Sequence, residues 1–124
     1  MPADRETPRV PAERSDHAPD AAARERIARQ LLALTREMVE LGQAGDWPAF
    51  AARERERQQL SSELFASPVP REAATVVADC IRRVLDLDQE LFALTEAHRD
   101  EASRALKDMQ RGQKAANAYR RFSR

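Results

Sequence analysis

The sequence contains few of the residues on which disulfides, metal sites and β-sheets depend. Its single cysteine, Cys80, excludes a disulfide framework within the chain and a four-ligand zinc site. Only 3 glycines and 6 aromatic residues are present, which argues against a glycine-rich phosphate loop and against many strands. We therefore expect a reduced, intracellular protein with no metal and no cofactor.

Long apolar runs are missing as well. No stretch approaches the roughly 20 apolar residues that a membrane-spanning helix needs. The first ten residues mix acidic and basic side chains and have none of the apolar core of a secretory signal. Because 21 basic groups balance 21 acidic ones, the chain has no general attraction for nucleic acids or membranes. We expect no membrane partner.

Residues 1–20 differ in composition from the rest of the chain. They hold four of the seven prolines and eight charged residues, with Val10 as their one sizeable apolar side chain besides Met1. Such a segment buries too little surface to offset the entropy lost on ordering. The composition predicts a disordered leader over residues 1–20 and a helical domain over residues 21–124, with a short recognition tail as the alternative for the leader.

Two helices with a short connection are predicted next. Apolar residues recur at steps of three and four from Ile27 to Leu41, which is the period of one helical face. Glycines at 42 and 45 favour a helix end there, and Asp46 followed by Pro48 favours a new helix start. A second helix running to about Phe65 makes this pair an antiparallel hairpin.

A long third helix and a short fourth helix complete the predicted fold. Prolines at 68 and 70 end the second helix. No glycine or proline interrupts residues 71–111. Gly112 predicts a break, followed by a fourth helix too short to be stable without docking. The predicted fold class is therefore all-α: a helical hairpin, a long third helix and a short C-terminal helix, arranged as a bundle.

Charge is distributed unevenly along the chain. Residues 1–20 carry a net −2, residues 21–110 a net −3 and residues 111–124 a net +5. The cationic end is expected to dock on the acidic body or, alternatively, on phosphate or an acidic partner. A further band, Arg53 to Arg57, places charges on the inner face of the second helix. Its arginine stems either cover apolar surface or face a partner.

Catalytic groups that could converge are not visible in the sequence. His17 lies in the predicted leader, and His98 lies on a thin apolar face of the third helix. Cys80 falls on the main apolar stripe, where a small core residue is expected. The acidic residues at 86, 88 and 90 point to different sides of a helix. We therefore predict that the protein is not an enzyme.

Four short motifs, in order, give the sequence a family resemblance. They are Leu41-Gly-Gln-Ala-Gly-Asp-Trp47, Arg-Glu-Arg-Gln-Gln-Leu at 55–60, Ile81-Arg-Arg-Val-Leu-Asp-Leu-Asp88 and Gly112-Gln-Lys-Ala-Ala-Asn-Ala-Tyr119. This order resembles the FliT family of flagellar export chaperones over about residues 24–122. The resemblance rests chiefly on the Gly-Asp-Trp and on the terminal glycine, lysine, alanine and tyrosine. The predicted leader lies outside it.

The resemblance implies a cytoplasmic, bundle-like chaperone. Members of the family bind the filament-cap protein, keep it unassembled and deliver it to the flagellar type III export apparatus. Their last helix covers the cargo surface as an autoinhibitory latch, and a tyrosine in it, here Tyr119, is associated with docking at the export apparatus. Some members also bind the flagellar transcriptional regulator, and this role stays open here.

A cargo-binding groove is predicted between the second and third helices. An apolar groove of this kind suits a helical cargo segment. For several of its residues ordinary core packing is the alternative, and for Tyr119 it is tethering of the last helix. The predicted partner-binding residues are Phe50, Leu64, Val84, Leu87, Leu91, Leu94, His98 and Tyr119.

Two other readings compete with a chaperone. One is a small helical regulator or adaptor that binds a transcription factor or nucleic acid through residues 111–124, although five charges and one aromatic pair make a weak nucleic-acid footprint. The other is a homo-oligomeric coiled coil built on the third helix. A homodimer is compatible with either the coiled coil or the chaperone.

Overall fold

Helices form most of the described chain. A computed structural model describes the backbone of residues 2–123 and the side chains of residues 20–123. Its elements are α1 (Pro2–Ala44), α2 (Trp47–Leu64), a 3₁₀ turn (Arg71–Ala73) and α3 (Ala74–Phe122). Within residues 2–123 there is no strand. The predicted all-α class is confirmed, with three helices packed together.

The predicted leader falls mostly outside the part whose side chains are described. Helix α1 is assigned from Pro2, while side-chain placement begins at Asp20. The division into a disordered leader, residues 1–20, and a helical domain, residues 21–124, therefore stays a prediction.

The turn between α1 and α2 follows from a glycine and an aspartate. Gly45 has φ +75°, a backbone conformation in which glycine is favoured because it has no Cβ. Its N–H donates to the carbonyl of Gly42 (3.2 Å), and the N–H of Asp46 donates to that of Leu41 (3.0 Å). This pair of bonds is the Schellman helix ending. Asp46 then caps α2 by accepting from the N–H of Ala49 at 3.3 Å.

The core is a narrow seam to which all three helices contribute. Its buried members have 7% or less of their surface exposed, and half-buried residues such as Ile27, Leu60 and Val76 pack against them. The predicted apolar stripes of α1 and α3 are confirmed here, Cys80 included. The buried cluster consists of Ala21, Ala28, Leu31, Leu32, Leu64, Ala73, Val77, Cys80 and Val84.

A buried arginine ties the start of this seam to the end of α2. Arg24 on α1 is 5% exposed. Its guanidinium donates to the carbonyls of Leu64 (3.0 Å) and Ser67 (3.0 Å), and also to the Ser67 hydroxyl. A longer contact of 3.4 Å reaches the carbonyl of Pro68. Since the last carbonyls of a helix have no partners within it, Arg24 acts as the C-terminal cap of α2.

The predicted fourth helix is not present as a separate element. Helix α3 runs without a break from Ala74 to Phe122 and passes through Gly112. The predicted break is wrong because one glycine costs a helix only about 1 kcal/mol relative to alanine. The alanines, lysine and arginines around it are good helix formers, and Gly112 does not adopt a positive φ.

The chain divides into two compact units. The first is Met1–Leu91 and the second is Phe92–Arg124. In the first unit the described helices enclose the core cluster. In the second unit the half-buried residues are Leu94, Thr95 and Glu96, and every residue from 97 to 123 is exposed. The second unit is thus a helix with its apolar side chains open to solvent.

Replacing the buried guanidinium is expected to be costly. In Arg24→Ala, the carbonyls of Leu64 and Ser67 lose their donor and remain near the core. We expect a loss of about 2–4 kcal/mol in the free energy of unfolding, measured by urea denaturation followed by circular dichroism.

Arg29→Ala is the matched control, because it removes the same group from the same helix. The Arg29 side chain is 61% exposed and pairs only with Glu25, at 3.5 Å, so its loss should change stability by less than about 0.5 kcal/mol. Equal losses for the two variants would contradict the capping role of Arg24.

Candidate functional site

Three of the predicted partner-binding residues lie together in the first unit. Leu64 on α2 (0% exposed) and Val84 on α3 (6% exposed) belong to the buried cluster, and Leu87 is half-buried against it. The structure thus brings these α2 and α3 residues together, with α1 also contributing to their packing. A partner could contact Leu64 or Val84 only after the helices separate.

Two further predicted residues, Phe50 near the start of α2 and Leu91 within α3, also lie in the first unit. Leu91 is 5% exposed. Phe50 is half-buried and packs edge-on against Trp47, with ring centroids 5.0 Å apart and an angle of 63° between the rings. Since Trp47 and Phe50 sit in the first turn of α2, this aromatic pair flanks the turn that joins it to α1.

The remaining predicted residues lie in the second unit. Leu94 is half-buried, His98 is exposed, and Tyr119 is 76% exposed. Four other large apolar side chains of this unit are also exposed: Phe92, Leu106, Met109 and Phe122. Exposed apolar residues in this number on one helix are typical of a surface that meets a partner.

The charged band of α2 is used inside the chain. Arg53 on α2 donates through Nε to Glu37 of α1 (3.0 Å) and through a terminal nitrogen to Glu56 of its own helix (2.7 Å). The hydrogen bond from Arg53 to Glu37, followed by the charges of Glu37 and Glu56, raises the pKa of Arg53 above its ordinary value. This arginine therefore links α1 to α2.

Arg57, one turn further along α2, links it to α3. Burial alone would lower the pKa of Arg57, but the hydrogen bond and charge of Asp88 outweigh it, and Glu54 adds to them, so that the pKa is raised. The distances are 2.5 Å to Asp88 and 3.2 Å to Glu54. The sequence left two possibilities for this band: packing within the chain or facing a partner. The contacts of Arg53 and Arg57 with carboxylates of the chain fit the first.

These two ion pairs persist at ordinary pH. A cation whose pKa rises on folding contributes stability fully below its unfolded pKa and loses it only as the pH passes the folded value. For arginine both values lie far above neutrality. The contacts of Arg53 and Arg57 therefore do not act as a pH switch on the arginine side.

Sequence reasoning missed or misplaced several residues. Nothing in the local pattern marks Arg24, whose acceptors lie 40 or more positions away. Phe65 and Leu85 are large apolar residues, yet they are 55% and 59% exposed. The sequence did not indicate a role for Glu37, because its partner Arg53 is on another helix.

A shallow groove of about 560 Å³ lies between α1 and α2. Leu34, Leu60 and Ala33 supply its apolar lining. Its polar lining consists of Gln30, Glu37, Glu56, Gln59 and Glu63. This groove is on α1 and α2, and so it differs from the predicted groove between α2 and α3.

The described residues give no support for a metal site or a membrane-spanning helix. Within them, no three His, Cys, Asp or Glu side chains cluster as metal ligands. No helix in the described part of the chain is long and apolar enough to span a bilayer. What the geometry offers is a packed helical core and an exposed apolar and basic helix, which are suited to binding another protein.

The link between Arg57 and Asp88 can be measured directly. Since the two side chains are 22% and 37% exposed, we expect a coupling free energy of about 0.5–1.5 kcal/mol. The measurement is a double-mutant cycle of Arg57→Ala and Asp88→Ala by urea denaturation. The same cycle on Arg82 and Asp79, an exposed pair within α3 at 3.4 Å, is the control and should give less. Coupling no larger than the control would show that Arg57 does not hold α3.

Comparison with known proteins identifies one family. The family model described as Flagellar protein FliT matches residues 25–121. Neither a curated protein nor a solved structure matches the chain. The matched range includes the buried cluster apart from Ala21, both charged links and all of α3 except Phe122.

Proposed function

The chain belongs to the FliT family of flagellar proteins, and on that premise we propose that it binds the filament-cap protein in the cytoplasm. Membership implies a role as a flagellar export chaperone. In the proposed mechanism the chain keeps the cap protein unassembled and delivers it to the type III export apparatus. The observation that carries the proposal is that Leu87 and Leu94 are only half-buried and His98 is exposed on α3.

The proposed cargo surface follows one face of α3. Leu87, Leu91, Leu94 and His98 succeed one another at steps of four, three and four, which places them on one side of the helix. Leu87 and Leu94 are half-buried and His98 is exposed, so an apolar helix of the cargo could cover them. Phe50 would contribute from α2, whereas Leu64, Val84 and Leu91 are buried and would meet cargo only if the helices separated.

Helical cargo suits this surface because terminal segments of polymerising proteins bury their apolar faces on assembly. A chaperone that covers the same face prevents assembly without any chemistry of its own. Binding of an amphipathic helix along an apolar strip is a common mode of peptide recognition. The apolar side chains then lie three or four residues apart on both partners.

The autoinhibitory latch, as proposed here, is a second conformation of the C-terminal segment. Residues after Gly112 would leave α3 and fold back over the cargo surface. Glycine is the residue at which a helix breaks at least cost other than proline, and Gly112 is the only glycine of α3. A latch that occupies the surface lowers the apparent affinity for cargo by the fraction of open chains.

Tyr119 is proposed to contact the export apparatus. Its side chain is 76% exposed in α3, and its hydroxyl end is free to meet a partner's polar groups along with its ring. The competing role for Tyr119 is to tether the C-terminal segment. That role would require another part of the protein to cover the ring.

A regulator that binds a transcription factor or nucleic acid through the basic residues 111–124 is the second candidate. Those residues hold five cations and no acid, and the cations of α3 within 111–123 are exposed. Binding of this kind would weaken steeply with salt, whereas cargo binding through Leu87 and Leu94 would not.

Cargo binding and the latch can be tested together by isothermal titration with the C-terminal segment of the cap protein from the same genome. The full chain should bind it one to one, and truncation after Arg111 should tighten binding about tenfold or more. Gly112→Ala favours the continuous helix by about 1 kcal/mol, or about fivefold. Beyond the backbone of its own helix, nothing in the described chain lies within 4 Å of the added methyl group, so this variant should also tighten binding.

Matched substitutions locate the surface in the same titration. Leu94→Asp should weaken cargo binding by about tenfold or more, because it places a charge in the apolar contact. Ala93→Asp, at an exposed neighbouring position, should change it little. Absence of binding by every form would remove the cap protein as cargo, and unchanged affinity on truncation would remove the latch.

Delivery can be separated from cargo binding at Tyr119. We expect Tyr119→Ala to keep cargo affinity within about twofold while export of the cap protein falls, because an exposed ring contributes little inside the chain. Secretion assays report export, and titration reports affinity. Phe122→Ala is the control, as its ring is 89% exposed in the same segment, and it should export normally. A cargo defect in Tyr119→Ala equal to its export defect would favour tethering.

A further inference from the structure

The groove between α1 and α2 combines an apolar floor with an acidic lining. Leu34, which is 7% exposed, and the half-buried Leu60 lie in its middle. Among the described residues that line it there is no lysine or arginine. The acidic residues of the lining are Glu37, Glu56 and Glu63. The groove is therefore an open apolar surface with an excess of negative charge around it.

The hairpin places these carboxylates at the two ends of the groove. Glu37 and Glu56 share the guanidinium of Arg53, at 3.0 and 2.7 Å, so they lie together at the end nearer the turn. Gln30 and Glu63 each lie seven residues farther from that turn, on α1 and α2 respectively. Seven residues of helix span about 10.5 Å. The shared guanidinium offsets one charge of the first pair, so each end of the groove keeps one uncompensated carboxylate.

The sign and the spacing of these groups select a ligand. Carboxylates repel nucleic acids, phosphates and anionic lipid surfaces. Cations on long aliphatic stems suit the groove, because the stems cover Leu34 and Leu60 while the charges meet the carboxylates. In a helix, two cations seven residues apart share one face with an apolar residue midway between them. In a strand the same distance is about three residues, and side chains three apart point to opposite faces. The groove therefore fits a helix better than a strand.

We propose that the α1–α2 groove is a docking site for a cationic amphipathic helix of a partner protein other than the cargo. This helix has lysine or arginine at seven-residue intervals and a large apolar residue between them. Charge complementarity selects it, and packing of a further helix against an antiparallel pair is the ordinary geometry of a bundle. None of the groove's residues belongs to the proposed cargo surface, so the groove stays open while cargo is bound. The inference holds whether or not the cap protein is the cargo.

The test is fluorescence anisotropy of a labelled synthetic peptide titrated with the purified full chain. The peptide has about 21 residues, enough for three heptads of helix, with lysine at every seventh position and leucine four residues after each lysine. Wild type should bind it, and more weakly as salt rises, because exposed charges are screened. A peptide of the same composition, with its lysines and leucines dispersed around the helix, should bind about tenfold more weakly.

Charge reversal locates the peptide in the groove. Glu56→Lys combined with Glu63→Lys should weaken binding by about tenfold, and a peptide with glutamate in place of each lysine should bind this double variant better than wild type. Glu72→Lys combined with Glu101→Lys is the matched control, since it changes the net charge equally at exposed positions outside the groove. It should keep the affinity within about twofold. Circular dichroism should show every variant folded.

Several results would overturn the proposal. Absence of peptide binding is one, and equal binding of the dispersed peptide or equal losses in the two double variants are others. Displacement of the peptide by the cap protein's C-terminal segment would also overturn it, because the groove would then be part of the cargo site. A chain that fails to bind the peptide can still bind the cap protein, so such a failure leaves the chaperone proposal untouched.

Discussion

The contact of Arg24 with the end of α2 is the constraint on which the first unit depends. Helix α2 ends at Leu64, and the chain must then turn through two prolines before α3 begins. Proline at 68 and at 70 cannot donate hydrogen bonds, so the carbonyls of this turn need donors from elsewhere. Arg24 supplies them from α1, with its guanidinium almost fully buried. The end of α2, the turn and the part of α1 around Arg24 are therefore held together.

Further along the helices, two arginines of α2 also link neighbouring helices. Arg53 joins α2 to α1 through Glu37, and Arg57 joins α2 to α3 through Asp88. A third contact, from Gln43 to Glu90 at 3.0 Å, ties the end of α1 to α3. Polar links of this kind fix which helix faces meet, while the thin apolar seam between them supplies most of the driving force. A lean core and many charges are thus compatible with one defined packing.

Local patterns predicted much of this fold. The turn from Gly42 to Asp46 depends on residues adjacent in sequence, so a glycine and a capping aspartate were enough to predict it. The stripe of α3 from Val77 to Val84 was predicted equally well, because burial follows the helical period. The division into a leader and a helical domain is untested.

Features that depend on distant partners or small energies could not be predicted. In the sequence Arg24 looks like any surface arginine, because its acceptors lie 40 or more positions away. Gly112 predicts a helix break, yet a glycine destabilises a helix by only about 1 kcal/mol, which the flanking helix-forming residues offset. Leu85 is exposed because helical periodicity predicts which side of a helix is apolar but not how much of that side a neighbouring helix covers. The candidate partner-binding residues stay predictions, and their burial separates accessible ones such as His98 from buried ones such as Leu64.

Taken together, the chain combines a first unit whose packing is specified by arginine contacts with a second unit whose apolar side chains remain exposed. The central claim is that cargo covers the face of α3 that includes Leu87, Leu94 and His98. Amide hydrogen exchange, read by mass spectrometry on the free chain and on its mixture with the cap protein's C-terminal segment, tests this claim most directly. If cargo lies on this face, the segment will slow exchange within residues 84–111. Protection gained only in α1, with α3 unchanged, would contradict it.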